Sequence, residues 1–151
     1  MDAAAIKGAV TIELKDPITG ETTIWEGHNA IMDGGLELFH ERVAGVAGVA
    51  ALGYMALGSG TGAFPGGATG LYHEDYRKAI TTASVSSTVA TYKTYFTTAQ
   101  GNDDVIREIG LTNAAGSGAG TLISHIEVSP QVEKTSSKEA VITVTHTLSR
   151  A

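Results

Sequence analysis

Residues 58–70 constrain the fold more than any other part of the chain. They read Gly-Ser-Gly-Thr-Gly-Ala-Phe-Pro-Gly-Gly-Ala-Thr-Gly, so six of the thirteen residues are glycine. Glycine loses the most conformational freedom on ordering, and Pro65 lacks an amide donor, so neither a helix nor a strand is favoured here. We predict a long loop at this position.

The sequence before this loop predicts a β-hairpin over residues 8–26. Val10, Ile12 and Leu14 alternate with polar residues, which is the period of a half-buried strand. Residues 16–20, Asp-Pro-Ile-Thr-Gly, have turn chemistry, and residues 22–25 form the returning strand.

A single short helix is predicted at about residues 34–44. Asp33 is a candidate N-cap, and Leu36, Phe39 and Val43 follow it at helical spacing. The helix ends in an Ala/Gly run, after which residues 54–57 predict a short buried strand.

The sequence after the glycine-rich loop is rich in alternating Thr, Val, Ile and Tyr. In residues 80–96 the alternation places Ala90, Tyr92, Thr94 and Phe96 on one face. The next segment predicts an apolar edge of Val105, Ile109 and Leu111, opposite Ile106 and Glu108. Further strands are expected in residues 122–128 and 139–148, with loops at 100–102 and 113–120. The sequence therefore predicts a mainly β protein, an antiparallel β-sandwich or barrel-like domain that spans residues 1–151 as one unit.

Composition excludes several classes of function. The 151 residues include no cysteine, so disulfides and thiolate metal sites are excluded. A net charge of −6 with 10 Lys+Arg argues against a nucleic-acid surface. The N-terminus lacks the features of a signal peptide and no apolar run reaches about 18 residues, so we expect a soluble, non-secreted chain without membrane contact. Only 17% of the residues are charged and 19 are glycine, which suggests that much of the surface is covered in an assembly.

The motifs that carry catalysis or cofactor binding are missing or out of context. Gly58-Ser59-Gly60 loosely matches a dinucleotide-binding loop, but Pro65-Gly66-Gly67 prevents the helix that would bind the pyrophosphate. His73-Glu74-Asp75 is the densest group of possible metal ligands, and a solvated polar turn or an interface is the expected role for it. Asp103-Asp104 falls in a predicted turn. We therefore expect no enzyme activity, no cofactor and no metal.

Several motifs follow one another in a characteristic order. They occupy residues 29–35, 54–61, 71–77, 106–111 and 122–125, ahead of a terminal Thr/Val strand. In this order they resemble small virion proteins of tailed bacteriophages, in particular the baseplate-proximal module of tail-fibre and tail-collar proteins. The chain departs from that pattern at Thr112-Asn113, where the family often has Phe or Tyr.

This resemblance implies a non-enzymatic structural component of a tailed-phage virion, assembled in the host cytoplasm. It would be a tail- or baseplate-associated adaptor or fibre-base module that self-associates as a homotrimer and docks on other phage virion proteins. The alternative is a capsid decoration (cement) protein that binds the major capsid protein. A carbohydrate-binding module is a further alternative, with Trp25, Tyr72, Tyr76 and Tyr92 as its aromatic platform, although only 6% of the residues are aromatic.

The expected assembly interface lies in two glycine-rich loops, residues 58–70 and 113–120, and in residues 71–77, which follow the first loop. Arg107 has three possible roles: lying on a wet face, pairing across strands, or forming a salt bridge between protomers. The interface residues predicted from the sequence are Gly58, Gly60, Gly62, Phe64, Leu71, Tyr72, Glu74, Arg77, Arg107 and Asn113.

Overall fold

The computed structural model describes residues 4–102 and 105–150, so the predicted turn at Asp103-Asp104 lies outside the described residues. The chain is mainly β with one short helix. The elements are β1 (Ala4–Lys15), β2 (Thr22–Ile31), α1 (Asp33–Val43), β3 (Tyr54–Gly58), β4 (Glu74–Ala79), β5 (Thr82–Ser86), β6 (Val89–Phe96), β7 (Ile106–Thr112), β8 (Leu122–Val132) and β9 (Glu139–Arg150). No helix in these ranges is long and apolar enough to cross a membrane.

All nine strands belong to one antiparallel sheet in the order β4-β3-β7-β8-β2-β1-β9-β6-β5. The sheet curls into a half-barrel, which confirms the predicted barrel-like β fold. β2 joins its two halves, because Thr22–Asn29 pair with β1 while Ala30 and Ile31 pair with β8.

The hydrophobic core fills the concave face of the half-barrel. The predicted alternation is confirmed in β1, where Val10, Ile12 and Leu14 are buried. Strands from both halves of the sheet contribute to one cluster, so burial of this apolar surface stabilises the curvature of the sheet. The buried members are Val10, Ile12, Leu14, Met55, Leu57, Phe96, Ile106, Ile109, Leu111, Ile126, Val128, Ala140, Ile142 and Val144.

The helix forms where the sequence predicts it, but with its apolar stripe turned outward. Gly35 and Leu38 are its buried residues, while Leu36, Phe39 and Val43 are exposed, Val43 to 72%. The cap prediction was wrong, since Met32 is the N-cap without a side-chain hydrogen bond and Asp33 lies in the first turn. The main-chain N–H of Met32 instead donates to Ile123 O at 2.9 Å, which fixes the start of α1 against β8.

A Gly35→Ala substitution is expected to lower the free energy of unfolding by up to about 2 kcal/mol. Helix propensity alone favours alanine by about 1 kcal/mol. An added Cβ, however, would lie 2.3 Å from the carbonyl oxygen of Ile123, a backbone atom that cannot move alone, and overpacking of this kind costs about 1–3 kcal/mol.

Urea denaturation measures the effect, with Gly70→Ala as control because a Cβ there meets nothing within 4 Å. A stabilised Gly35→Ala variant would show that α1 does not pack tightly on β8.

Two sequence expectations in the second half of the chain were wrong. Ile106, not Val105, joins Ile109 and Leu111 in the core, because the β7–β8 register shifts between Ile106 and Glu108 and this reverses the alternation. Residues 73–75 were expected to form a solvated polar turn or an interface; the turn is wrong for Glu74 and Asp75, which begin β4 beside β3, while the interface stays a prediction. Residues 80–96 form two strands, β5 and β6, with a positive φ of 53° at Ser87 between them.

Candidate functional site

The first glycine-rich loop packs onto the outer face of the sheet. We call residues 59–73 the covering loop. Ile109 and Leu111 face the core, so Glu108 and Gly110 face the opposite side, and Gly110 is paired with His125. The Phe64 ring stacks on the His125 ring with 3.4 Å between centroids, and the covering loop thus buries this outer face.

Glu108 is the polar centre of this face and is only 1% exposed. Its Oε1 accepts a hydrogen bond from the main-chain N–H of His73 at 2.7 Å, and its Oε2 accepts one from Tyr72 at 3.1 Å. Nε2 of His125 lies 3.2 Å from Oε2. Burial raises the pKa of Glu108, but the hydrogen bonds from His125, His73 and Tyr72 outweigh it and the net pKa is lowered. An ionised carboxylate therefore fixes the end of the covering loop.

The glycines around Glu108 are explained by close packing rather than by flexibility. A Cβ on Gly58 would lie 2.3 Å from His73 O and 2.7 Å from Glu108 Oε1. A Cβ on Gly60 would lie 2.5 Å from Glu108 Oε1, and one on Gly110 would lie 2.9 Å from Leu71 Cδ2. The glycine motif thus leaves room for the carboxylate and for the segment that it binds.

The second glycine-rich loop, residues 113–120, is attached to the same face by an ion pair. Glu74 and Arg77 form a bidentate pair, with Arg77 Nε 2.7 Å from Oε1 and the second nitrogen contact at 2.8 Å. Arg77 also donates to the carbonyl oxygens of Ala114 and Ala119, each at 2.8 Å, and Glu74 accepts from Gly118 N at 3.1 Å. The pKa of Glu74 is raised by burial but lowered on balance by the bonds from Arg77 and Gly118.

The other predicted interface residues also have contacts within the chain. Asn113 Oδ1 accepts from Thr121 N at 2.7 Å, and Arg107 donates to Gln131 Oε1 at 3.1 Å and to Ser59 O at 3.4 Å. Gly62 lies against the Tyr72 ring at a φ of 133°. Leu71 packs where a Gly110 Cβ would be.

The structure thus brings the ten sequence-predicted residues together on one face, where they bind the two loops to the sheet. Both loops remain largely exposed, the covering loop at residues 61–63, 65–67, 69–70 and 72–73 and the second loop at residues 115–120. Contact of this face with another subunit stays a prediction.

Ser59, His73 and Asp75 lie close together, but not as a nucleophilic triad. Ser59 Oγ is 3.1 Å and Asp75 Oδ1 3.0 Å from the same atom, Nδ1 of His73. A triad histidine uses one ring nitrogen for each partner. The His73 side chain is also 69% exposed. Among the described residues, no group of three or more His, Asp or Glu side chains is placed to hold a metal ion.

The four aromatic residues expected in a carbohydrate platform do not share a surface. Trp25, Tyr76 and Tyr92 pack against the core cluster, and Trp25 Nε1 donates to Ser129 O. Tyr72 lies on the outer face, where its hydroxyl donates to Ala63 O. The geometry therefore offers no aligned aromatic platform from these four residues.

A second surface, missed from the sequence, lies at the open end of the half-barrel. There α1 and β5 face each other across a cavity of about 530 Å³, and both Phe39 and Val85 line it. β5 is an edge strand whose five residues are all exposed, Val85 to 77%. We call β5 together with the exposed stripe Leu36, Phe39 and Val43 the open rim. The signal in the sequence was the helical spacing of that stripe, which does not say whether it faces inward or outward.

Comparison with protein-family models, with curated proteins and with solved structures finds no match to this chain.

Proposed function

We propose that the chain is a non-enzymatic structural component of a tailed-phage virion, a tail- or baseplate-associated adaptor or fibre-base module. It self-associates through the open rim and docks on a larger assembly. The observation that carries the self-association is the unprotected edge strand β5 beside an exposed apolar helix stripe.

The two edges of the sheet differ in a way that favours this proposal. Proteins often place charged side chains on an edge strand, because these charges prevent the strand from pairing with another chain. β4, at one edge, carries Glu74, Asp75, Arg77 and Lys78. β5, at the other edge, has the sequence Thr-Ala-Ser-Val-Ser and carries no charge. An edge that is long enough to pair, exposed and uncharged is suited to accept a strand from a second copy of the chain.

The apolar rim supports the same reading. Leu36, Phe39, Val43 and Val46 are large hydrophobic residues left exposed in and just after α1. Exposed apolar groups clustered in this way favour association with another protein surface. Closed symmetry is expected for such a homo-oligomer, and three-fold symmetry is expected for either virion role.

The position in the particle rests on the order of motifs, which favours the tail. A capsid decoration protein would use the same rim and is the alternative. A tail protein and a capsid decoration protein would occupy different parts of the particle, so imaging distinguishes the two proposals.

Light scattering of the purified chain and gold-labelled antibodies on particles of the encoding phage test the proposal. We expect a trimer at micromolar concentration and label at the tail or baseplate. Label over the head would replace the tail assignment with decoration. A strict monomer that is absent from particles would overturn the proposal.

A further inference from the structure

The cavity at the open end has a polar floor at His146. Its walls are mainly apolar and include Ile6, Leu38, Ala90 and Leu148. Its volume of about 530 Å³ lies in the usual range for small-molecule pockets. His146 also lines it, yet Nε2 of His146 is buried and has no hydrogen-bond partner.

A second unpartnered group lies beside His146. Gly8 pairs with Asn29 on one side and with His146 on the other, so both side chains are on the concave face and flank Gly8. A Cβ on Gly8 would lie 1.2 Å from Asn29 Oδ1, so the amide occupies the space that this glycine leaves. Neither Nδ2 nor Oδ1 of Asn29 has a partner.

Unpartnered polar atoms are concentrated on this face. Within residues 4–102 and 105–150, the buried side-chain atoms that lack a partner belong to Asn29, Thr94, Ser124 and His146. The register places all four on the concave side, with Thr94 opposite Ile142 and Ser124 opposite Leu111. Of these four residues, His146 lines the cavity, and a ligand that supplies its missing partner gains free energy because buried polar groups normally have partners.

The floor favours a neutral ligand. Burial lowers the pKa of His146 to about 4, so its ring is uncharged at pH 7. Arg42 is the one ionisable lysine, arginine, aspartate or glutamate among the lining residues, and it donates to Val49 O at 3.0 Å. A carboxylate pushed to the floor would therefore be desolvated without a cation.

We propose that this cavity binds a neutral amphiphile, an aliphatic chain that ends in one hydroxyl or amide group. The chain lies among the apolar walls, and the polar end reaches His146, which lines the cavity and has Asn29 as its neighbour across Gly8. The cavity shares Phe39 and Val85 with the open rim, so the titration is run on the unchanged protein and on Val85→Lys, and it does not depend on where the chain sits in a particle.

Titration with 1-octanol and with octanoate at pH 7.5, followed by NMR of the histidine rings, tests the site. We expect saturable shifts of the His146 signals with 1-octanol and binding at least tenfold weaker for octanoate. His146→Phe should weaken 1-octanol binding about tenfold, the equivalent of one hydrogen bond. Asn29→Leu should do the same, which keeps the test valid if His146→Phe does not fold.

Thr143→Val is the matched control, because Thr143 lies on the same strand and its neighbours Ile142 and Val144 face the core. It should bind 1-octanol as the unchanged protein does. The proposal is overturned if 1-octanol gives no saturable shift, if both floor variants bind it equally well, or if octanoate binds as tightly.

Discussion

A Val85→Lys substitution is expected to dissociate the proposed homo-oligomer into monomers, with the dissociation constant raised about 100-fold, or about 2.7 kcal/mol. Val85 is the fourth of the five residues of the uncharged edge strand β5, is 77% exposed and lies on the side that faces the cavity. A strand that pairs there would have to bury the new ammonium group without a partner, since none of the β5 residues is acidic.

Light scattering across a concentration series measures this change. Ile18→Lys is the matched control, because Ile18 is a 93% exposed residue in the β1–β2 turn and the substitution adds the same charge. It should leave the oligomer intact. Since Val85 is exposed, the free energy of unfolding of the Val85→Lys monomer, measured with urea, should stay within about 0.5 kcal/mol of that of the unchanged monomer. Equal dissociation of both variants would mean that net charge, not the β5 edge, controls association.

A Glu108→Ala substitution is expected to lower the free energy of unfolding by about 3 kcal/mol and to release the end of the covering loop. The substitution removes the carboxylate that accepts hydrogen bonds from the main-chain N–H groups of Tyr72 and His73. It also removes the hydrogen-bond partner of the buried His125 side chain. Removing one partner of a buried charged network costs about 3–5 kcal/mol when the rest stays buried, and less where water reaches the freed groups.

Urea denaturation gives the stability, and hydrogen exchange at the Tyr72 and His73 amides reports the loop. Glu127→Ala is the control, because Glu127 pairs with Glu108 in the β7–β8 register but is exposed. Unchanged protection of the two amides in Glu108→Ala would show that the stacked Phe64, rather than the carboxylate, fixes the loop.

The same carboxylate makes part of the stability depend on pH. Its folded-state pKa lies below the ordinary 4.5, because the bonds from His125, His73 and Tyr72 outweigh the opposing effect of burial. Its contribution is therefore present above 4.5 and is lost as the pH falls through the lowered pKa. The stability difference between the unchanged protein and Glu108→Gln should shrink in acid. A difference that stays constant from neutral pH into strong acid would contradict this.

Local patterns predicted the elements well and their partners poorly. The strand alternation at Val10, Ile12 and Leu14 and the helix at about residues 34–44 depend on spacing along the chain, and both are confirmed. Ile106 lies in the core in place of the predicted Val105 because of a shift in the pairing with β8, a strand that is distant in sequence. No local pattern contains that information.

The structure places the predicted site residues on one face, and their role in an interface stays a prediction; the sequence could not show what they contact. Glycine density predicted two loops, and Glu74 and Arg77 were singled out beside them. Only the fold shows that these two side chains bind each other and the carbonyls of Ala114 and Ala119. The open rim had no such signal, because β5 is a short segment of small and polar residues and its place at the sheet edge follows from topology.

The sequence by itself determined the class of fold, the places of its loops and its one helix, because backbone preferences and hydrophobic period act over a few residues. The tertiary structure decided whether the side chains of each helix or strand pattern face the core or the surface. It turned the helix stripe of Leu36, Phe39 and Val43 outward, since the small Gly35 lets α1 approach β8 on its other side. It also placed Glu108 under the covering loop, where a residue that reads as a surface charge became the buried centre of the outer face.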